Sequence, residues 1–197
     1  MTNIETYRPK SPLIIAGIGA VMNGLFVWSS FYQGGTTSEV TSIFTGIFIL
    51  ACIYLVLVRP KVTFSDEGVI ICNPIEDFTI GWADVIQLDA KWAMVIETKD
   101  FTVSAWAATA PGRHRNKTVH VNEITGLDID LDGSIRPADS PNSDSGAATY
   151  RARIRIKKFQ NTPGAISLQT QRVRQLKPVI IGAIALIGAI GTNFLGH

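Results

Sequence analysis

The sequence predicts a membrane protein of mixed class: three apolar helical spans and an all-β antiparallel domain between the second and the third. Three observations predict it. Uncharged apolar runs occupy residues 13–32 and 41–58. A third occupies residues 178–195. Between them, from residue 61 onward, apolar and polar side chains alternate with period two, the signature of half-buried strands.

The first run, LIIAGIGAVMNGLFVWSSFY, has the twenty uncharged residues that a helix needs to cross a bilayer core. Trp28 and Tyr32 stand at its far end, where aromatic rings favour the lipid–water interface. A cleavable signal peptide is excluded because a second run, TSIFTGIFILACIYLVLV, follows at once. The third, PVIIGAIALIGAIGTNFL, is shorter and glycine-rich. It is expected to span rather than to lie on the surface.

Charge orients these runs. Arg8 and Lys10 precede the first, and the connector QGGTTSE has no base. Arg59 and Lys61 follow the second, while Arg172, Arg174 and Lys177 precede the third. With three spans every base falls on one side, which the positive-inside rule makes cytoplasmic. The expected order is a cytoplasmic tail (1–11), a two-helix transmembrane hairpin (12–58), a cytoplasmic β domain (59–177) and a third transmembrane helix (178–197). That arrangement places the C-terminus outside a plasma (inner) membrane.

Small residues recur on the spans. Ala16, Ala20 and Gly24 are spaced by four, as are Ile184, Gly188 and Thr192, and Ala185 and Ala189. Such faces let helix backbones approach closely. They serve either the packing of the three spans on each other or a partner subunit. Asn23, in mid-span, suits a hydrogen bond across such a contact.

In the middle stretch KVTFS, the turn DEG and VIICN read as a hairpin. FTIGWADVIQLDA, WAMVIETKD and FTVSAWAA follow, with Lys99-Asp100 as a tight turn, giving five short strands in a barrel or sandwich. Trp82 and Asp84 are expected as a core tryptophan and a turn or capping aspartate.

The order of these motifs carries a resemblance. A strand pair with a DEG turn is followed by Ile80, Trp82, Asp84 and Val85 and then by a charged hairpin. It resembles the PH-like domain of actinobacterial membrane proteins of the low-molecular-weight antigen 6 type, over roughly residues 12–108. The resemblance implies a PH-like barrel or sandwich behind membrane spans, working by binding partners or lipids rather than by catalysis. The chain departs from that pattern by its third span and by an extra hairpin insertion after Ala108.

That insertion holds DIDLDGSIRPAD, residues 128–139, whose acids and glycine approximate a calcium loop. Three features argue against calcium. Pro137 and Pro141 stand where a helix should exit, Asp139 is shorter than the usual bidentate glutamate, and Arg136 occupies a ligand place. Two hairpin readings remain open. In one, Asp132-Gly133 forms a tight turn. In the other, the acidic face of Asp128, Asp130 and Asp132 pairs with the basic face of TYRARIRIK around a flexible loop, 133–149. In that second reading Arg151, Arg153, Arg155, Lys157 and Lys158 lie along one strand. They are candidates for anionic lipid or partner contact, since juxtamembrane bases gain roughly 1 kcal/mol each at an anionic surface.

A net charge of +2 and the lack of an aromatic platform between the bases disfavour nucleic acid. The two cysteines, Cys52 and Cys72, form no disulfide framework, and His114, His120 and His197 have no ligand spacing. Nucleophile–base pairings, phosphate loops, dinucleotide fingerprints and metalloprotease motifs are absent from the sequence. No enzyme, cofactor or metal is therefore expected. The expected role is a non-catalytic accessory or scaffold subunit of a larger plasma-membrane complex, a respiratory supercomplex being one candidate host. The partners would be membrane lipids and membrane-protein subunits. A membrane-tethered anionic-lipid or ligand sensor is the alternative, and a calcium-responsive regulator a remote one.

Overall fold

The computed structural model describes residues 1–33, 35–90, 92–109 and 143–195. It divides into two compact units. One comprises Met1–Pro9, Lys61–Asn73 and Asp77–Val173; the other comprises Lys10–Pro60, Pro74–Glu76 and Arg174–His197.

The second unit is helical: α1 (Lys10–Gln33), α2 (Thr36–Ile53) and α4 (Lys177–Leu195). Pro12 and Pro178 fall in first turns, where the missing N–H has no intrahelical role. Past Ile53, α2 continues as one π-helical turn, Tyr54–Val58, closed by Arg59 N–H donating to Tyr54 O at 2.8 Å. All three helices are long and apolar enough to cross a membrane, over Lys10–Tyr32, Thr36–Val58 and Lys177–Phe194.

The other unit holds two antiparallel sheets and a helix. Strands β1 (Glu5–Tyr7), β2 (Lys61–Phe64), β3 (Gly68–Cys72), β4 (Glu76–Gly81) and β8 (Gln171–Arg174) form a sheet in that order. Strands β5 (Val85–Asp89), β6 (Ala93–Thr98) and β7 (Thr102–Thr109) form the second. Residues 5–7, expected within a tail, are instead an edge strand whose Tyr7 pairs with Val62. The expected hairpin at Asp66-Glu67-Gly68 is present as β2–β3. The run 78–90, expected as one strand, is broken by a 3₁₀ turn at Trp82–Asp84, where the chain passes between sheets.

Alternation builds the core. Val62, Phe64, Val69, Ile71, Ile80, Met94 and Ile96 are fully buried. Trp82 joins them as expected, its indole N–H donating to Ser65 O at 3.0 Å. Asn73 links the sheets: its amide donates to Ser104 O, and its carbonyl accepts from Trp106 N–H, both at 2.9 Å. Gly68 and Gly81 are register partners under the segment 167–170. A Cβ at Gly81 would lie 2.0 Å from Leu168 O, so only glycine admits the passing chain there.

The basic run departs furthest from expectation. The run 150–158 is not a strand but part of α3 (Asp144–Gln160). Ser143 caps it, accepting from Gly146 N–H at 2.9 Å, and Asp144 and Lys157/Lys158 complement its dipole. The face that sinks into the core is Ala148–Ala152–Ile156–Phe159, with helical spacing. Residues 144–149, expected as the end of a flexible loop, are helical too. The pairing of an acidic with a basic strand is thereby excluded, because its basic partner is a helix. The calcium-like stretch 128–139 and the Asp132-Gly133 turn lie outside the described residues, as do all residues from 110 to 142.

Candidate functional site

The five candidate bases sit on α3 and separate by helical geometry. Arg151, Arg155 and Lys158 share one flank and meet acids from β1 and the β2–β3 turn. Arg151 Nε lies 3.1 Å from Glu5 Oε1, with its guanidinium over the Tyr7 ring. Arg155 reaches Glu5 at 3.4 Å, Asp66 at 3.2 Å and the carbonyl of Asn3 at 2.8 Å. Lys158 Nζ is 3.0 Å from Asp66 Oδ2. Arg153 and Lys157 sit on the other flank, with exposed Tyr150 and Ile154 between. The five bases therefore do not form one surface: three serve the internal cohesion of the β unit.

The electrostatics follow. The Lys158 ammonium, bonded to the Asp66 carboxylate, is the largest influence holding that group below its usual value, with Asn3 and Arg155 adding to it. At Glu67 partial burial pushes the carboxyl up. Hydrogen bonds from the Thr2 N–H and hydroxyl and from Ser65 outweigh it and hold the group at about 2. Tyr7 is raised, first by burial and then by the hydrogen bond its phenol donates to Asp144. Asp84, expected as a turn or cap residue, accepts from Thr170 at the strap crossing Gly81.

In the helical unit α2 is flanked by α1 and α4. The α1 side that meets α2 carries Ala16, Gly19, Asn23, Val27 and Ser30. Asn23 Nδ2 donates to Gly46 O at 3.2 Å, the interhelical bond expected of it, and Asn23 Oδ1 is buried without a partner among the described residues. A Cβ on Gly46 would stand 2.6 Å from Val27 Cγ2, so the seam depends on that glycine. Gly188 of α4 packs flat on Phe44, and Thr192 meets Thr41 at 2.8 Å.

The smooth faces of α1 and α4 therefore differ. Gly188 is consumed inside the unit, as is Ala16, which is 5% exposed. Ala20 and Gly24 are exposed instead, and nothing stands within 4 Å of a Cβ built on Gly24 or on neighbouring Gly17. Gly19 was missed on sequence. It lies three residues after Ala16 and four before Asn23, a helical-face spacing overlaid by the four-residue repeat through Ala20.

No family model, curated protein or solved structure matches this chain.

Proposed function

We propose that the chain is a three-span, non-catalytic accessory subunit of a larger plasma-membrane complex, with a PH-like β unit on the cytoplasmic side. The observation that carries this reading is the outward Gly17–Ala20–Gly24 face of α1. Internal packing turns Gly19 and Asn23 inward and leaves a backbone-thin strip exposed, the surface on which a further membrane helix gains close van der Waals contact. Strand pairing supports the topology. Tyr7 and Val62 are adjacent in one sheet, so the chain between them leaves and returns to one side, as two spans require. A PH-like reading is supported by the order of elements: a β1–β4 meander, the β5–β7 sheet, then the closing helix α3. A respiratory supercomplex remains one host of suitable kind.

Purification in mild detergent with mass spectrometry tests the proposal. Stoichiometric co-purification of another membrane subunit, lost on Ala20→Leu/Gly24→Leu, is the expected result. A lone monomer or homodimer from the wild type contradicts it.

The exposed pair Tyr150 and Ile154, beside Arg153 and Lys157 on α3, favours a second reading, an anionic-lipid contact. Under it, Arg153→Ala/Lys157→Ala weakens flotation with anionic liposomes, while Arg151→Ala acts through stability alone. Equal flotation of wild type and double variant counts against it.

A further inference from the structure

The helical unit contains a cavity of about 490 Å³ beside the α1–α2 turn. Its walls carry Ser29 and Ser30 from α1, Thr41, Ser42 and Thr45 from α2, and Asn193 from α4. Among the described residues, none that lines it is charged.

Five of the lining hydroxyl protons are already committed. Ser29 donates to Phe26 O at 2.8 Å, Ser30 to Val27 O at 2.7 Å, and Thr45 to Thr41 O at 2.8 Å. Ser42 donates to Ser38 O, and Thr41 to Thr37 O or to Thr192 Oγ1. A hydroxyl has one proton, so these oxygens offer only lone pairs to whatever enters. Donors come from elsewhere. Thr37 and Ser38, in the first turn of α2, also line the cavity and bring two hydroxyls able to donate as well as accept, and Gly35 at its N-cap has no side chain to occupy the first-turn N–H groups. The Asn193 amide adds two more donors.

A wall of acceptors facing a wall of donors selects its occupant. A phosphate or carboxylate, which only accepts, finds nothing on the hydroxyl wall. An ammonium, which only donates, finds no counter-charge among the described lining residues. A hydroxyl group does both. We propose that this cavity binds a neutral polyhydroxyl group, a sugar or glycerol moiety, either as a lipid headgroup or as a free solute. The lipid source rests on the membrane-spanning reading; the chemistry of the cavity does not.

The test uses the full chain, purified in a detergent without a sugar head and reconstituted in phosphatidylcholine nanodiscs. Native mass spectrometry reads retained glucosyl diacylglycerol against phosphatidylcholine, phosphatidic acid and phosphatidylethanolamine. Equilibrium dialysis reads free methyl glucoside. The wild type should retain the glucosyl lipid at least tenfold over phosphatidylcholine, or bind methyl glucoside, and the isosteric Thr41→Val/Thr45→Val variant should lose that preference. Lipid retention alone identifies a headgroup; glucoside binding alone identifies a solute. Neither signal in the wild type, a preference for phosphatidic acid or phosphatidylethanolamine, or an unchanged preference in the variant overturns the proposal. Carbonate extraction separates the two readings: a chain that stays in the membrane yet binds no polyol refutes only this inference.

Discussion

Arg155 and Asp66, 89 residues apart, meet at 3.2 Å and fasten α3 to the β2–β3 turn. Their side chains are only 14% and 22% exposed, so water screens the contact incompletely. Asp66 also takes Lys158 and the Asn3 amide. Asp66→Asn is expected to cost about 2 kcal/mol by leaving charged donors short of an acceptor. Unfolding of the detergent-solubilised chain, followed through buried Trp82, measures it, and Asp100→Asn on the exposed β6–β7 turn serves as the neutral control.

Acid should loosen the same corner. Glu67 is held at about 2 against its usual 4.5, and Asp66 also lies below its usual value. A depressed carboxyl stabilises the fold above its unfolded value, and that contribution is lost as pH falls toward the folded one. The β unit is therefore expected to lose stability between about pH 4.5 and 2. Glu67→Gln should flatten this dependence while lowering stability at pH 7. A wild-type melting temperature unchanged from pH 6 to 3 contradicts it.

The close crossing at Gly81 makes a steric prediction. Gly81→Ala places a methyl carbon against Leu168 O and should cost about 3 kcal/mol. Gly17→Ala, with nothing within 4 Å, should be neutral or better by up to about 1 kcal/mol from helix propensity. Thermal melts of the two variants read the contrast directly.

The N-cap of α3 is the fourth test. Ser143→Ala removes the acceptor for Gly146 N–H and should cost about 1 kcal/mol. Helical signal by circular dichroism should fall first at this helix, visible as faster amide exchange at residues 145–148.

The long apolar helices and the hairpins were legible because each rests on one dominant pattern: unbroken apolar length for α1, α2 and α4, and alternation around a turn for β2–β3 and β6–β7. The 150–158 run was not, because two periods coexist in it. Tyr150, Ala152, Ile154 and Ile156 alternate with bases as in a strand, while Ala148, Ala152, Ile156 and Phe159 recur as in a helix. Helix formers, the Ser143 cap and a core that accepts small alanines decide for the second. Strand β1 was hidden for another reason. Three residues carry little pattern, and their partner lies beyond two helices in the chain. The cavity hydroxyls were present in the sequence, but their shared wall exists only once α1, α2 and α4 pack.

The proposed topology has the chain crossing the membrane three times with the β unit inside. With Cys52 and Cys72 replaced by alanine, single cysteines at Ser38 and Asn161 report the two sides through a membrane-impermeant maleimide. Position 38 should label in intact cells, and position 161 only after the membrane is opened. Labelling of position 161 in intact cells would contradict the account.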